Sequence, residues 1–187
     1  PRAPEPFTGV RDCSRFGSIA PQNEHGPLPI DPGLTIDEDC LTLNVFAPAT
    51  DTERPWPVMV WIHGGAYYLG SSGQRMFDPT RLVERGDVVV VTFNYRLGAL
   101  GFLDFSSFST EKHPFDTNLG LRDQIAALTW VRDNIAAFGG DPGDVTLFGG
   151  VRRWRRGHHA DDVPPTGGGT VPPCDRREFA RDVRVRQ

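Results

Sequence analysis

Cysteine is scarce in this chain, with only three among 187 residues. Cys13, Cys40 and Cys174 are too few and too irregularly spaced for a disulfide framework or a zinc site. A bridge between Cys13 and Cys40 and a pair of unlinked thiols are both compatible with the sequence. A hydrophobic content of 38% is enough to build the core of one ordinary domain.

Long apolar runs are missing as well. No stretch approaches the roughly 20 apolar residues that a membrane-spanning helix needs, so no membrane span is expected. The first residues, Pro1 to Pro4, include neither an initiator Met nor a signal-type apolar run. The sequence therefore indicates no cellular compartment, and it is equally silent on oligomeric state.

Positive charge is concentrated toward one end of the chain. The formal net charge is −4, yet nine of the twenty basic residues are arginines between Arg152 and Arg186. Clustered arginine can neutralise phosphates, which would favour nucleic acid or an anionic membrane. Acidic residues interrupt this cluster, namely Asp161, Asp162, Asp175, Glu178 and Asp182. We therefore expect a solvated run of charge and no nucleic-acid partner.

Three apolar segments predict strands. Residues 1–37 are rich in Pro, Gly and polar residues and predict loops. Leu41–Phe46 alternates apolar and polar positions, which is typical of a half-buried strand near a sheet edge. Val58–Ile62 and Val88–Phe93 are continuous apolar runs, which indicate strands covered on both faces of a parallel sheet.

Helical patterns separate and follow these strands. Pro79 to Gly86 predicts a short helix, and a longer amphipathic one begins after Asn118 and ends at Phe138–Gly140. Its apolar face is predicted to hold Leu121, Ile125, Leu128, Val131 and Ile135. Its polar face is predicted to hold Arg122, Asp123, Arg132 and Asp133. Asp144–Gly149 returns as a strand, so the chain is predicted to be α/β with a mostly parallel central sheet.

The composition changes abruptly after Gly149. Residues 150–187 are dominated by Arg, Gly, Pro and Asp and have no hydrophobic period. Such a segment cannot bury enough apolar surface to offset its ordering entropy, so we expect a folded part at 1–149 and a disordered tail at 150–187.

One glycine-rich segment has the composition of an anion-binding turn. His63-Gly64-Gly65-Ala66 follows an apolar strand, at the end where ligand sites of open α/β sheets gather. Backbone without a Cβ can turn its N–H groups toward the negative oxygen that develops in acyl transfer. A plain tight turn leaving the strand is the alternative. His63 taken singly is expected to be a packed strand-end residue.

A second segment, Phe138–Gly149, predicts a helix end, a turn through Pro142 and a strand that leads into a sharp bend. In a nucleophile elbow, Gly-x-Ser-x-Gly lifts a serine above the sheet. Here Val151 stands two residues after Gly149, and Arg152 and Arg153 follow where small residues are needed.

Four ordered blocks of sequence resemble the type B carboxylesterases and cholinesterases. They are Glu38–Phe46 with Pro48, Trp61–Ala66, Asn94–Phe102 and Asn118–Gln124. Together they span most of residues 6–149. The resemblance implies a partial α/β-hydrolase fold that is incomplete at its C-terminus, and it implies no cofactor and no metal.

The resemblance also implies roles for individual residues. Gly65 and Ala66 would donate N–H groups to an oxyanion, with Gly64 shaping the turn and a third N–H at the position of Arg152. It suggests a structural ion pair between Arg96 and Asp141, for which two solvated surface charges are the alternative.

One further position departs from the family pattern. Cys40 stands where the family often has a disulfide cysteine, but Ala20 occupies the usual partner position.

The implied activity is hydrolysis of small-molecule carboxylic esters by a serine. The nucleophile position holds Val151, and the family takes its acid and His from regions beyond residue 187, so we expect no catalytic residue and no turnover in this chain. A non-catalytic cholinesterase-like binding module is the alternative function.

The unusual tail suggests a reading-frame shift. Removing one G around the codons of Gly149 and Gly150 allows the following codons to be regrouped into Glu, Ser, Ala, Gly and Gly. The restored Gly-Glu-Ser-Ala-Gly would put a serine where Val151 stands. The hypothesis fails if the gene carries no such extra base.

Overall fold

The structure is a computed structural model that describes residues 8–9, 12–49 and 53–149. Its strands are β1 Leu43–Phe46, β2 Trp56–Ile62, β3 Val89–Phe93 and β4 Gly140–Gly149. Its α-helices are α1 Thr80–Gly86, α2 Gly98–Phe102 and α3 Leu119–Asn134. Short 3-10 helices occupy Arg75–Phe77, Ser106–Phe108 and Ile135–Phe138. The predicted tail, 150–187, lies outside the described residues. Within the described residues, no helix is long and apolar enough to cross a bilayer.

The four strands form one sheet in the order β1-β3-β2-β4. β2 pairs in parallel with β3 and with β4, whereas β1 pairs antiparallel to β3. This confirms the α/β class and the mostly parallel sheet. The antiparallel strand β1 lies at an edge of the sheet, as its alternating sequence predicts.

Burial differs between the two strands with continuous apolar sequence. Every residue of β3 is buried, as the uninterrupted run predicts. Only Val58 and Val60 of β2 are buried, and the residues between and after them are partly exposed. The two-sided burial predicted for β2 is therefore wrong for the part of the chain that the structure describes.

Strand β4 begins earlier than its sequence suggests. We predicted a turn through Pro142 before the strand, but β4 starts at Gly140, which pairs with Trp56. The pairing then jumps to Val145 opposite Val58, so residues 141–144 are an irregular insertion in the strand. The turn and the strand thus share one element.

Helix α3 starts where predicted, but it ends at Asn134, a 3-10 helix continues to Phe138, and its faces differ from the prediction. It begins after Asn118, and Val131 and Ile135 pack into the core as expected. Ile125, assigned to the apolar face, is 60% exposed, and Asp123, assigned to the polar face, is buried. Both assignments are wrong because Asp123 pairs with Arg96 and that side of the helix faces inward.

Both described cysteines are unlinked. Cys13 is exposed and Cys40 is buried, and neither forms a disulfide. Of the two possibilities left open by the sequence, the structure has the free thiols.

Two isoleucines in the α3 segment provide a test of this packing. Ile135 is fully buried, whereas Ile125 is 60% exposed. Ile135→Ala should lower the free energy of unfolding by about 3 kcal/mol, because it leaves a cavity in the core. Ile125→Ala, the matched control, should change it by less than about 0.5 kcal/mol. Urea denaturation measures both, and equal effects would contradict the packing.

Candidate functional site

The glycine-rich turn and the end of β4 lie side by side at the carboxyl ends of the parallel strands. β2 and β4 are adjacent and parallel, and Ile62, the last residue of β2, pairs with Gly149. Adjacent strands are about 4.8 Å apart, so the chain leaving β4 starts next to His63. Val151 and Arg152 lie outside the described residues. The carboxyl ends of parallel strands are where open α/β sheets bind ligands.

The turn after β2 is held in an uncommon backbone conformation. Gly65 has φ +129°, and the next two residues, Ala66 and Tyr67, have φ +53° and +66°. Left-handed backbone costs a residue with a Cβ roughly 1 kcal/mol or more. Two such residues in succession persist only where surrounding contacts fix them, and such conformations cluster at functional sites.

Those contacts come from both sides of the turn. The Gly65 carbonyl accepts from the N–H groups of Tyr68 and Leu69, each at 3.2 Å. The Gly98 N–H donates to the Tyr67 carbonyl at 2.7 Å. Among the described residues, no protein acceptor bonds the N–H groups of Gly65 and Ala66. The turn therefore has two consecutive amides free to bind an acceptor.

His63 is buried beneath the turn. Its ring stacks on Tyr95 at a centroid distance of 4.4 Å, and Nδ1 lies 3.0 Å from the Gly64 carbonyl. A carbonyl only accepts, so Nδ1 carries the proton. Burial lowers the pKa of His63 to about 4, partly offset by the bond to Gly64. The predicted packed strand-end role is confirmed, and His63 is neutral at pH 7.

The predicted partner of Arg96 is wrong. Arg96 forms a two-pronged ion pair with Asp123, with Nη2–Oδ1 at 2.6 Å and Nε–Oδ2 at 2.7 Å. The Arg96 backbone N–H also donates to Asp123 Oδ2. Asp141 instead accepts from the Gly143 N–H inside the irregular part of β4. Hydrogen bonding to Asp123 is the main cause that raises the pKa of Arg96.

Sequence reasoning missed three residues that support the turn. The Tyr95 hydroxyl donates to the His63 carbonyl at 2.8 Å. Asn94 Oδ1 accepts from the Ser72 N–H, and Gln22 bonds both the N–H and the carbonyl of Gly70. The available signal for Asn94 and Tyr95 was their place directly after a buried parallel strand. No local signal indicated Gln22, which lies in a loop.

In the structure, Gly64, Gly65 and Ala66 lie next to the carboxyl end of β4. Their role toward an oxyanion stays a prediction. No group of three or more His, Cys, Asp or Glu side chains in 8–9, 12–49 and 53–149 is arranged to hold a metal ion.

Comparison with known proteins identifies a matching family and similar relatives. The model of the carboxylesterase family matches residues 1–151. A para-nitrobenzyl esterase of Bacillus subtilis is 50% identical over 155 residues, which cover 80% of this chain and 30% of that relative. A phenmedipham hydrolase of Pseudarthrobacter oxydans is 46% identical over 149 residues, which cover 76% of this chain and 28% of that protein. The chain thus spans less than a third of either relative.

Solved structures agree in fold. A carboxylesterase of Geobacillus stearothermophilus is similar with a TM-score of 0.66 and 44% identity, covering 78% of this chain and 29% of that one. A para-nitrobenzyl esterase structure has a TM-score of 0.62 and 52% identity, with 72% and 26% covered.

Two aspartates test the ion pair. Asp123 is buried against Arg96, whereas Asp133 pairs with Arg132 in solvent. Asp123→Asn should lower the free energy of unfolding by about 2 kcal/mol, because it leaves the Arg96 charge poorly compensated. Asp133→Asn should leave it nearly unchanged, because water screens an exposed pair. If urea denaturation gave the same loss in the free energy of unfolding for both variants, the buried pair would stabilise the fold no more than the exposed pair does.

The depressed pKa of His63 predicts how stability depends on pH. Unfolded His63 titrates near 6.5 and folded His63 near 4, so between these values only the unfolded chain takes up the proton. The free energy of unfolding should fall as pH drops through this window and stay constant with respect to His63 above it. Ring ¹⁵N spectra should show neutral, Nδ1-protonated His63 at pH 5.5. A doubly protonated ring in the folded chain at that pH would contradict the assignment.

Proposed function

The chain belongs to the carboxylesterase family, and we propose that its described residues are the oxyanion-binding part of a serine hydrolase that acts on small-molecule carboxylic esters. The two consecutive amides of Gly65 and Ala66, without a protein acceptor among the described residues, are the observation that carries the proposal. Their position beside the end of β4 supports it, because a serine presented after that strand would face them.

The chemistry is that of acyl transfer. A serine oxygen, whose proton passes to the family's histidine from beyond residue 187, attacks the ester carbonyl carbon, and the carbonyl oxygen becomes negatively charged in the tetrahedral intermediate. When the carbonyl re-forms, the alcohol leaves with that proton and the acyl group stays on the serine. The N–H groups of Gly65 and Ala66 donate to that oxygen, while Gly64 allows the turn to approach. Because the strained turn is already fixed before substrate binds, little reorganisation is needed when charge develops.

The neutral His63 ring determines the electrostatics of the proposed oxyanion site. Since the ring carries no charge at pH 7, the turn offers peptide dipoles and no fixed cation. Such dipoles stabilise a transient oxyanion strongly in a water-excluded site, and they hold a neutral ester only weakly. This difference is what transition-state stabilisation requires.

We propose further that the chain as written does not turn over esters. Val151 has no nucleophilic atom, and it stands where the elbow pattern needs serine. We attribute the sequence from Gly150 onward to the reading-frame shift described above, which also accounts for the composition of 150–187.

The two reading frames give a direct experiment. The gene as read and a version lacking the extra G should be expressed side by side and assayed with para-nitrophenyl acetate. The chain as read should match the heat-denatured control. The corrected product should show saturable hydrolysis that disappears when the serine replacing Val151 is changed to alanine. Turnover by the chain as read would overturn the inactivity, and an inactive, folded corrected product would favour a non-catalytic module.

Within the corrected product, a glycine pair tests the turn itself. Gly65 and Gly33 both have positive φ, but a Cβ on Gly65 would collide with the Leu69 carbonyl, whereas Gly33 has open space. Gly65→Ala should lower kcat by about 100-fold, the order expected for loss of an oxyanion donor. Gly33→Ala should leave kcat within about twofold. Equal kcat for the two variants would remove Gly65 from the mechanism.

A further inference from the structure

The side chain of Gln22 bonds a peptide that is distant in sequence. Its Oε1 accepts from the Gly70 N–H at 2.8 Å, and its Nε2 donates to the Gly70 carbonyl at 2.9 Å. Nε2 also donates to the Ala20 carbonyl at 3.1 Å. One N–H and two carbonyls fix which end of the amide is oxygen, because only Nε2 can donate to carbonyls. Gln22 is therefore held in one orientation by three partners.

The segment that carries Gln22 is itself anchored. Ile19 and Ala20 are buried, and Ala20 belongs to the main hydrophobic core. Ile19 exchanges backbone hydrogen bonds with the segment around Ile36, where its N–H donates to Thr35 and its carbonyl accepts from Asp37. Gln22 thus links Gly70 to a fixed part of the molecule.

Gly70 in turn touches the residues that precede the two amides. It has φ +105°, and a Cβ built there would collide with the Gly64 carbonyl and lie 2.7 Å from His63 Nδ1. The Gly64 carbonyl is also the acceptor for that nitrogen. The position of the Gly70 backbone therefore limits where the Gly64 carbonyl can lie.

A second close approach completes the connection. The Gly65 backbone lies against the Leu69 carbonyl, leaving no room for a Cβ, and the Leu69 N–H donates to the Gly65 carbonyl. Leu69 and Gly70 are consecutive, so a shift of the Gly70 peptide moves both contacts. The peptide that joins Gly64 to Gly65 carries one of the two free N–H groups.

We propose that Gln22 is a positioning residue, which fixes the direction of the Gly65 and Ala66 N–H groups by holding the Gly70 peptide. It touches no substrate and acts through Gly70. Its catalytic consequence rests on the proposed function, whereas its effect on the turn does not.

The first experiment uses the 187-residue chain and needs no activity. Gln22→Met keeps the side-chain length and removes all three hydrogen bonds. The amide ¹H–¹⁵N signals of Gly65, Ala66 and Gly70 should shift, and hydrogen exchange at Gly70 should accelerate at least roughly tenfold. Asn23→Met is the matched control, because Asn23 is an exposed neighbour whose side chain, among the described residues, bonds only the His25 N–H. Its three signals should match the unmodified chain.

Gln22→Glu adds a test that a general loss of stability would not reproduce. The ionised carboxylate accepts from the Gly70 N–H but repels the carbonyls of Gly70 and Ala20. Protonated, it regains one donor and resembles glutamine. The Gly65 and Ala66 signals of this variant should therefore move toward their unmodified positions as pH falls from 7 to about 4.5, through the range where glutamate titrates.

The second experiment uses the frame-corrected product. Gln22→Met should lower kcat for para-nitrophenyl acetate roughly tenfold with KM within about twofold, because misplaced donors weaken only the transition state. Asn23→Met should leave both constants unchanged.

The outcomes separate the two proposals. Unchanged Gly65 and Ala66 signals in Gln22→Met, or unchanged kcat in an active corrected enzyme, would overturn the positioning role. If the signals move while every corrected variant is inactive, the proposed function fails and Gln22 still sets the geometry of the turn.

Discussion

Two stretches of backbone, residues 64–65 and 69–70, approach each other more closely than any β-carbon permits. This contact is possible only because Gly65 and Gly70 meet it from opposite sides. The chain between them passes through two left-handed residues, Ala66 and Tyr67, and among the described residues the N–H groups of Gly65 and Ala66 have no protein acceptor. The candidate site is therefore a product of main-chain packing, and side chains act mainly by keeping that packing in place.

The side chains that support the turn come from the residues directly after β3. Three consecutive residues bond three different parts of the molecule. Asn94 bonds the Ser18 carbonyl and the Ser72 N–H, Tyr95 bonds the His63 carbonyl, and Arg96 pairs with Asp123 of α3. Each reaches a group that is buried or partly buried, where an unmet hydrogen bond is expensive. The end of one central strand thus ties the loops, the turn and the longest helix to the sheet.

Much of this fold could be predicted from the sequence, because continuous valine runs and a 3.6-residue period are direct consequences of burial. The strand β3, the start of α3 and the edge position of β1 were predicted on those grounds. The errors occurred where one polar contact outweighs a pattern. Periodicity assigns Asp123 to solvent, whereas its pairing with Arg96 buries it and turns Ile125 outward.

The candidate site could also be predicted from the sequence only in part. Its glycines could be located from sequence because they directly follow an apolar strand, although a plain tight turn remained an alternative for them. The contacts that hold them could not, because Gln22 and Gly70 are 48 residues apart and nothing local indicates that they meet. The assignment of Asp141 to Arg96 failed for a related reason: several aspartates follow Arg96, and only the packing of α3 selects one.

Cys40 carries a consequence of a different kind. Its thiol is fully buried in the core near Ala20, and burial is the main cause that raises its pKa to about 11. A thiol so seldom ionised reacts slowly with oxidants. In the part of the chain that the structure describes, this cysteine behaves as a small hydrophobic residue. The core around Cys40 is accordingly indifferent to the redox potential of its surroundings, and it packs in the same way under reducing and oxidising conditions.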